Sequence, residues 1–189
     1  MGSFMFPRVE YPCILGYDAS GEVVAIGPEV TRFKVGDRVA GMAMGLTESS
    51  NVLTQSGFQL YTILLDNMTL HIPHTLSYEQ ACVIPLALAT AAAGLFQKDQ
   101  LALELPYLSP EPAGETVLIW GGSTSVGVNA IQLAVAAGYA VISTSSPRNF
   151  NLLKKLGARQ FFDYNSKTAI PDIINAFKSK TTAGAVSIG

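Results

Sequence analysis

From residue 11 to about residue 72 the apolar positions fall in short β-prone runs broken by Gly, Pro and Asp. Residues 22–26 predict a strand closed by Gly27 and Pro28, and residues 37–41 predict a second. Residues 58–65, rich in β-branched and aromatic side chains, predict a third. Strands at this spacing imply a small β barrel or sandwich. At Ser77-Tyr78-Glu79-Gln80 the pattern changes to an N-cap followed by an acidic first turn, which opens a helical segment over residues 78–96. Pro85 must break or kink that helix, because it removes a backbone donor and clashes with the preceding turn.

Residues 97–114 carry Pro106, Pro110, Pro112 and Gly114 and are expected to form a surface connector. Beyond them strand and helix patterns alternate. Residues 116–120 form an apolar run suited to a central parallel strand. Helical spacing follows at 126–137, a strand at 139–144, and a helix at 150–156 with Gly157 as its C-cap. A further strand, helix and strand are expected at 159–163, 171–177 and 185–188. The order β-α-β-α-β-α-β is the opening of a doubly wound parallel sheet. The expected fold class is therefore α/β, with a β domain over 1–96, a connector over 97–114 and a nucleotide-binding type of domain over 115–189.

Composition narrows the classes of function. Of 189 residues, 49% are hydrophobic and 14% charged, with a net charge of -2, which fits a globular chain and disfavours disorder. Twelve basic against 14 acidic residues leave no electrostatic footprint for nucleic acid and no polybasic address for an anionic membrane. Cys13 and Cys82 are too few and too far apart for a disulfide framework or a cysteine zinc site. The start, Met1 to Pro7, lacks a basic n-region and a continuous apolar run, so a cytoplasmic location is expected. The apolar run at 81–96 is interrupted by Pro85 and Gly94 and shorter than the roughly 20 residues of a span, so it is expected to be a core helix.

Candidate chemistry concentrates at Trp120-Gly121-Gly122-Ser123-Thr124-Ser125-Val126-Gly127, between a predicted strand and a predicted helix. That is the context of a dinucleotide-binding turn. Gly121 would permit the tight turn, Gly127 would let the helix approach the sheet, and amides at the helix start would face a pyrophosphate. Thr124 stands where the usual pattern has its middle glycine, and the hydroxyls of Ser123, Thr124 and Ser125 could serve phosphate oxygens instead. An ordinary Gly/Ser turn is the alternative. The second strand ends in Ser145-Ser146-Pro147-Arg148-Asn149, where sheets that bind NAD place an acidic residue for the ribose. Hydroxyls and a cation there suit a 2'-phosphate and favour NADPH over NADH, although Arg148 could equally be a solvated surface charge.

The run from Pro12 to Val24, with Gly16-Tyr17-Asp18 inside it, and the later Gly36-Asp37-Arg38-Val39 resemble the GroES-like domain of medium-chain dehydrogenase/reductases. Gly121 to Gly127, Lys155-Leu156-Gly157-Ala158 and Asp163-Tyr164 resemble that family's Rossmann domain. The wording at Trp120 to Thr124 is similar to fungal zinc-independent enoyl reductases and related quinone oxidoreductases. The resemblance implies that Ser123, Thr124, Ser125 and Val126 line the pyrophosphate, and that Ser146, Pro147, Arg148 and Asn149 surround the 2'-phosphate. It also implies that Tyr164 lies against that phosphate and Thr90 lies near the cofactor. Tyr164 could equally be a strand-end aromatic, and Thr90 a helix-packing residue.

Zinc-dependent members carry Gly-His-Glu where this chain has Gly16-Tyr17-Asp18. Tyrosine is a poor zinc ligand, and His71 and His74 are expected to be surface imidazoles, so no metal is expected. The resemblance implies hydride transfer from NADPH to an activated alkene or a carbonyl or quinone in a small-molecule substrate. No general acid stands out, since Tyr17 and Tyr61 have no neighbour that nominates them. Full-length relatives run to about twice this length, as two ordinary domains would. The expectation is thus two partial domains, with association through uncovered sheet edges or as a homodimer, and a non-catalytic remnant as the alternative to an enzyme.

Overall fold

The structure, a computed structural model, describes residues 11–47 and 52–188; the reading of Met1 to Pro7 lies outside the described residues. Two compact units divide between Leu86 and Ala87. The connector expected at 97–114 belongs to the second, where Leu103 is buried, its amide bonds the Leu95 carbonyl, and the Glu104 amide bonds the Tyr139 hydroxyl at 3.1 Å. Most of the helix expected with the first domain also falls in the second unit.

The first unit is built on an antiparallel sheet of β1 (Asp18–Glu22), β2 (Arg38–Met42) and β3 (Thr69–His71), in that order. β1 lies four residues ahead of the predicted strand. Its register, Asp18 opposite Met42 and Glu22 opposite Arg38, is fixed by β2. β2 starts only after the turn in which Asp37 accepts the Lys34 amide at 2.9 Å. The β-prone residues 24–26 therefore run past their partner, leaving Val24 and Ile26 exposed. The strand predicted at 58–65 does not form. Phe58 bonds Leu15 and Ile63 bonds Thr54, but no ladder joins them, and the chain reaches the sheet only at β3. β-propensity reports a fit to a pleated surface, and among the described residues no neighbouring strand supplies one. Ala40, Ile72 and Ala81 form the small core of this unit.

The capping box at Ser77 is present: its hydroxyl accepts the Gln80 amide and Gln80 answers its backbone. The helix it opens, α1 (Tyr78–Ala81), stops after one turn, and α2 (Pro85–Phe96) restarts at the proline. Proline is tolerated there because the first helical amide has no acceptor. By length and composition residues 78–96 could cross a membrane. Burial runs along one stripe of α2, through Ala87, Ala91 and Leu95, rather than all round it.

The second unit holds a parallel sheet in the order β6 (Gln160–Phe162), β5 (Ala140–Thr144), β4 (Glu115–Trp120), β7 (Thr181–Ser187). The crossovers are α3 (Ser125–Ala136), α4 (Phe150–Lys155) and α5 (Ala169–Phe177). This is the 3-2-1-4 order of the first half of a doubly wound sheet, with its switch point between β4 and β7. Val117, Ile119 and Val141 are fully buried with Ala130, Ile131 and Ala134 of α3, Leu153 of α4, and Leu95 of α2. At about 1.5–3 kcal/mol for each large aliphatic side chain buried, this core holds the carboxyl ends of β4 and β5 in place.

Candidate nucleotide site at the carboxyl end of the sheet

The chain leaves β4 through Gly121, whose φ of +85° is the left-handed conformation that glycine adopts without strain. A Cβ at Gly121 would strike the Ile188 carbonyl, and one at Gly127 would strike the Gly121 carbonyl and come within 2.8 Å of Gly122 Cα. Both glycines are therefore required by close approach. The turn is tied to β5: the Gly121 amide donates to Thr144 Oγ1 at 3.0 Å and the Gly122 amide to the Thr144 carbonyl at 2.9 Å. Ser143, fully buried, donates to the Ile119 carbonyl at 2.7 Å.

Thr124 takes a different part from the one its hydroxyl suggests. Its Oγ1 donates to the Gly121 carbonyl at 2.8 Å and accepts the Gly127 amide at 3.0 Å, which makes it the N-cap of α3. That hydroxyl is committed inside the turn. The amides of Ser125 and Val126, in the first turn of α3, have no intrahelical acceptor, and Ser123 is half-buried beside them. The turn thus offers donors at a helix start, the arrangement that accepts phosphate.

At the end of β5 the Ser145 amide donates to the Phe162 carbonyl at 3.1 Å, which closes β5 onto the end of β6. Ser146 then precedes a short 3-10 turn, Pro147–Asn149, without a side-chain capping bond, and Arg148 in that turn is exposed. Past β6, Asp163 accepts the Asn165 amide at 2.9 Å and shapes the turn that carries Tyr164. The Ser146 hydroxyl and the Tyr164 phenol meet at 2.8 Å. Tyr164 remains 44% exposed, so its hydroxyl is anchored and still reachable. Thr90 stands on the exposed side of α2, a separate element.

Three residues carry roles that the sequence reading does not give them. Ser143 and Thr144 buttress the turn; a run of hydroxyls ending a core strand was the available signal, because buried hydroxyls need partners. Asp18 is the third. Its Oδ1 accepts the Leu86 amide at 2.7 Å and so caps the start of α2 from β1. The signal was Pro85 itself, which opens a helix with no Ser, Thr, Asp or Asn in the three residues before it. His71 lies against Phe33, with centroids 4.7 Å apart, and its Nε2 is 3.1 Å from the Arg32 carbonyl. Among the described residues no three His, Cys, Asp or Glu side chains are grouped to hold a metal ion.

Comparison with known proteins agrees with this architecture. Residues 1–74 match the alcohol dehydrogenase GroES-like domain. Dehydrogenase azaJ of Aspergillus niger is 57% identical over 188 residues, 100% of this chain and 54% of its own length. The trans-enoyl reductase himH of Aspergillus japonicus is 44% identical over 171 residues, 90% of this chain and 49% of its own. A mycobacterial protein solved in complex with NADPH is 26% identical with a TM-score of 0.66, covering 93% of this chain and 49% of that one. In architecture the chain is a partial GroES-like β domain followed by a partial Rossmann sheet, similar to the medium-chain dehydrogenases and reductases it matches. Its relatives include fungal dehydrogenases and trans-enoyl reductases, and it spans about half the length of the relatives it matches.

Proposed function

We propose that this chain is the part of an NADPH-dependent oxidoreductase that holds the adenosine and pyrophosphate of the cofactor. The observation that carries the reading is the Ser146–Tyr164 hydroxyl pair beside Arg148 at the end of β5. Its donors suit a phosphate dianion, and the end of β5 carries no carboxylate to repel one. The NADPH-bound mycobacterial neighbour supports the same reading. When bound, the cofactor supplies a hydride for an activated alkene, enone, carbonyl or quinone in a small-molecule substrate.

The chain's own residues bind and orient. Gly121 and Gly127 leave room where a Cβ would fill the turn, and the amides of Ser125 and Val126 face the pyrophosphate. Ser123 lines the turn beside them, while Thr124 holds the turn's shape. Gly122, Pro147 and Asn149 set the backbone that carries Ser146 and Arg148. Thr90 lies toward the cofactor from α2. We further propose that hydride transfer is metal-free, since Tyr17 stands where a ligand would be needed and tyrosine binds zinc poorly. The chain is proposed to act in the cytosol and to associate with a second copy through its sheet edges.

The test is titration of the purified chain with NADPH and NADH, followed by oxidation of NADPH with enones and quinones. Trp120, the one tryptophan, adjoins the turn and reports binding by its fluorescence. Saturable NADPH binding at least about tenfold tighter than NADH is expected, a ratio of about 1.4 kcal/mol. Absence of NADPH binding, or preference for NADH, overturns the reading. Binding without turnover assigns the chain a nucleotide-binding role only.

A further inference from the structure

At the opposite end of the parallel sheet, a cleft of about 410 Å³ opens among the amino ends of all four strands. Its polar lining is Glu115 and Thr116 of β4, Arg159 and Gln160 at β6, and Ser179 and Lys180 ahead of β7. The volume lies within the range of small-molecule sites, and the place is unusual, because open parallel sheets bind ligands at their carboxyl ends. The Gly121 turn and the Ser146–Tyr164 pair already occupy that end.

Three features make this cleft more than a gap between strand ends. The β4–β7 ladder shifts register beside Thr116: Thr116 faces Thr182 while Val117 faces Gly184, so Ala183 is an extra residue. A bulge of this kind re-aims side chains and interrupts pairing. Thr116 is only 4% exposed and lines the cleft, and its hydroxyl has no hydrogen-bond partner among the described residues. Its oxygen is not among the buried unpaired ones, so it is open to solvent and free to bond a ligand in the cleft. Finally, Arg159 and Lys180 line the same cleft, and neither side chain has an ion pair or hydrogen bond among the described residues. The last turn of α4, which ends near Arg159, already has Lys154 and Lys155 to complement its carbonyls.

We propose that this cleft is a second binding site, for a small phosphate monoester that carries hydroxyl groups. A phosphate monoester bears about 1.5–2 negative charges near neutrality. Arg159 and Lys180 supply the matching cations, Arg159 as a planar fork and Lys180 as a point charge. The Thr116 hydroxyl donates a hydrogen bond, and Glu115 accepts from a hydroxyl on the ligand's carbon chain, at a distance from the phosphate that inorganic phosphate cannot span. The site is independent of the nucleotide reading, since none of these residues belongs to it.

The probe is glycerol 3-phosphate titrated into the full chain by calorimetry, with inorganic phosphate and glycerol as comparisons. Saturable one-to-one binding is expected, tighter than for inorganic phosphate, with none for glycerol. Arg159→Gln and Lys180→Gln should each weaken it at least about tenfold, the scale of a charge-assisted hydrogen bond. Thr116→Val, which keeps the β-branched shape, should weaken it about threefold to fivefold. Arg148→Gln should leave it unchanged. The two cation substitutions are on exposed side chains, so they carry the test even if Thr116→Val folds poorly. Lack of saturation overturns the proposal. So does binding that Arg148→Gln removes and Arg159→Gln spares, which would place the phosphate at the nucleotide site.

Discussion

The hydroxyls of Ser146 and Tyr164 lie 2.8 Å apart, brought from positions 18 residues apart by the closure of β5 onto β6. One hydroxyl donates to the other, so the pair leaves a single oriented O–H for a phosphate at this corner. If that phosphate is the 2'-phosphate of NADPH, Tyr164→Phe and Ser146→Ala should each weaken NADPH binding by roughly threefold to tenfold, the value of one hydrogen bond to a charged group at its lower end. Arg148→Gln should cost more, about tenfold or above. NADH binding should change less than twofold in all three variants. Parallel fluorescence titrations check this, and equal losses for both nucleotides would assign the pair a structural role.

The two halves of the chain were legible to different degrees, for physical reasons. β4, β5 and their crossovers fell where the apolar runs placed them, because strands buried on both faces must be continuously apolar and the helix between them must be amphipathic. The Gly121–Gly127 turn was legible because close backbone approach leaves no residue but glycine. Thr124 was legible as part of the turn but not as its cap, since a hydroxyl's partner depends on which way the turn folds. Residues 58–65 misled because propensity describes a willingness to pair and says nothing of whether a partner strand is there. Asp18 was invisible as a cap because it reaches α2 from 68 residues away, beyond any local motif.

That cap can be tested directly. Asp18 accepts the Leu86 amide at 2.7 Å, at a helix opened by proline. Asp18→Ala should lower unfolding free energy by about 1 kcal/mol, whereas Asp18→Asn, an equally good cap, should stay within a few tenths of wild type. Urea denaturation followed by circular dichroism measures both. Equal losses for the two variants would show that the carboxylate's charge matters more than its hydrogen bond.

The segment at 58–65, which joins no ladder among the described residues, exposes Phe58, Leu60 and Tyr61, with Leu60 at 96% of its full accessibility. An exposed apolar stretch without charge is a surface for association with another chain. The chain should therefore associate in a concentration-dependent way, and Leu60→Lys with Tyr61→Lys should shift it toward monomer in sedimentation velocity. If the double variant associates as before, the open edge of β7 (Thr181–Ser187) is the contact that remains, and a lysine at Ala185 should then disperse it.

Gly122 and Ser143 form a pair whose energies should not add. A Cβ on Gly122 would collide with Ser143 Oγ and approach Ile131 Cδ1 to 2.9 Å, while Ser143 Oγ is held by its bond to the Ile119 carbonyl. Gly122 has no positive φ, so alanine is allowed by the backbone there and only crowding opposes it. Gly122→Ala alone should cost about 1–3 kcal/mol as an overpacked site. Ser143→Ala alone should cost about 1 kcal/mol for the lost buried hydrogen bond. With the hydroxyl gone the worst clash is removed, Ser143 Cβ stays a tight 3.2 Å away, and the methyl end of Ile131 can turn aside. The double variant should then be more stable than the sum of the two losses by at least about 0.5–1 kcal/mol, the scale of coupling between touching residues. A thermodynamic cycle from four denaturation curves gives the coupling, and strict additivity would mean that the turn relaxes away from β5 instead of packing against it.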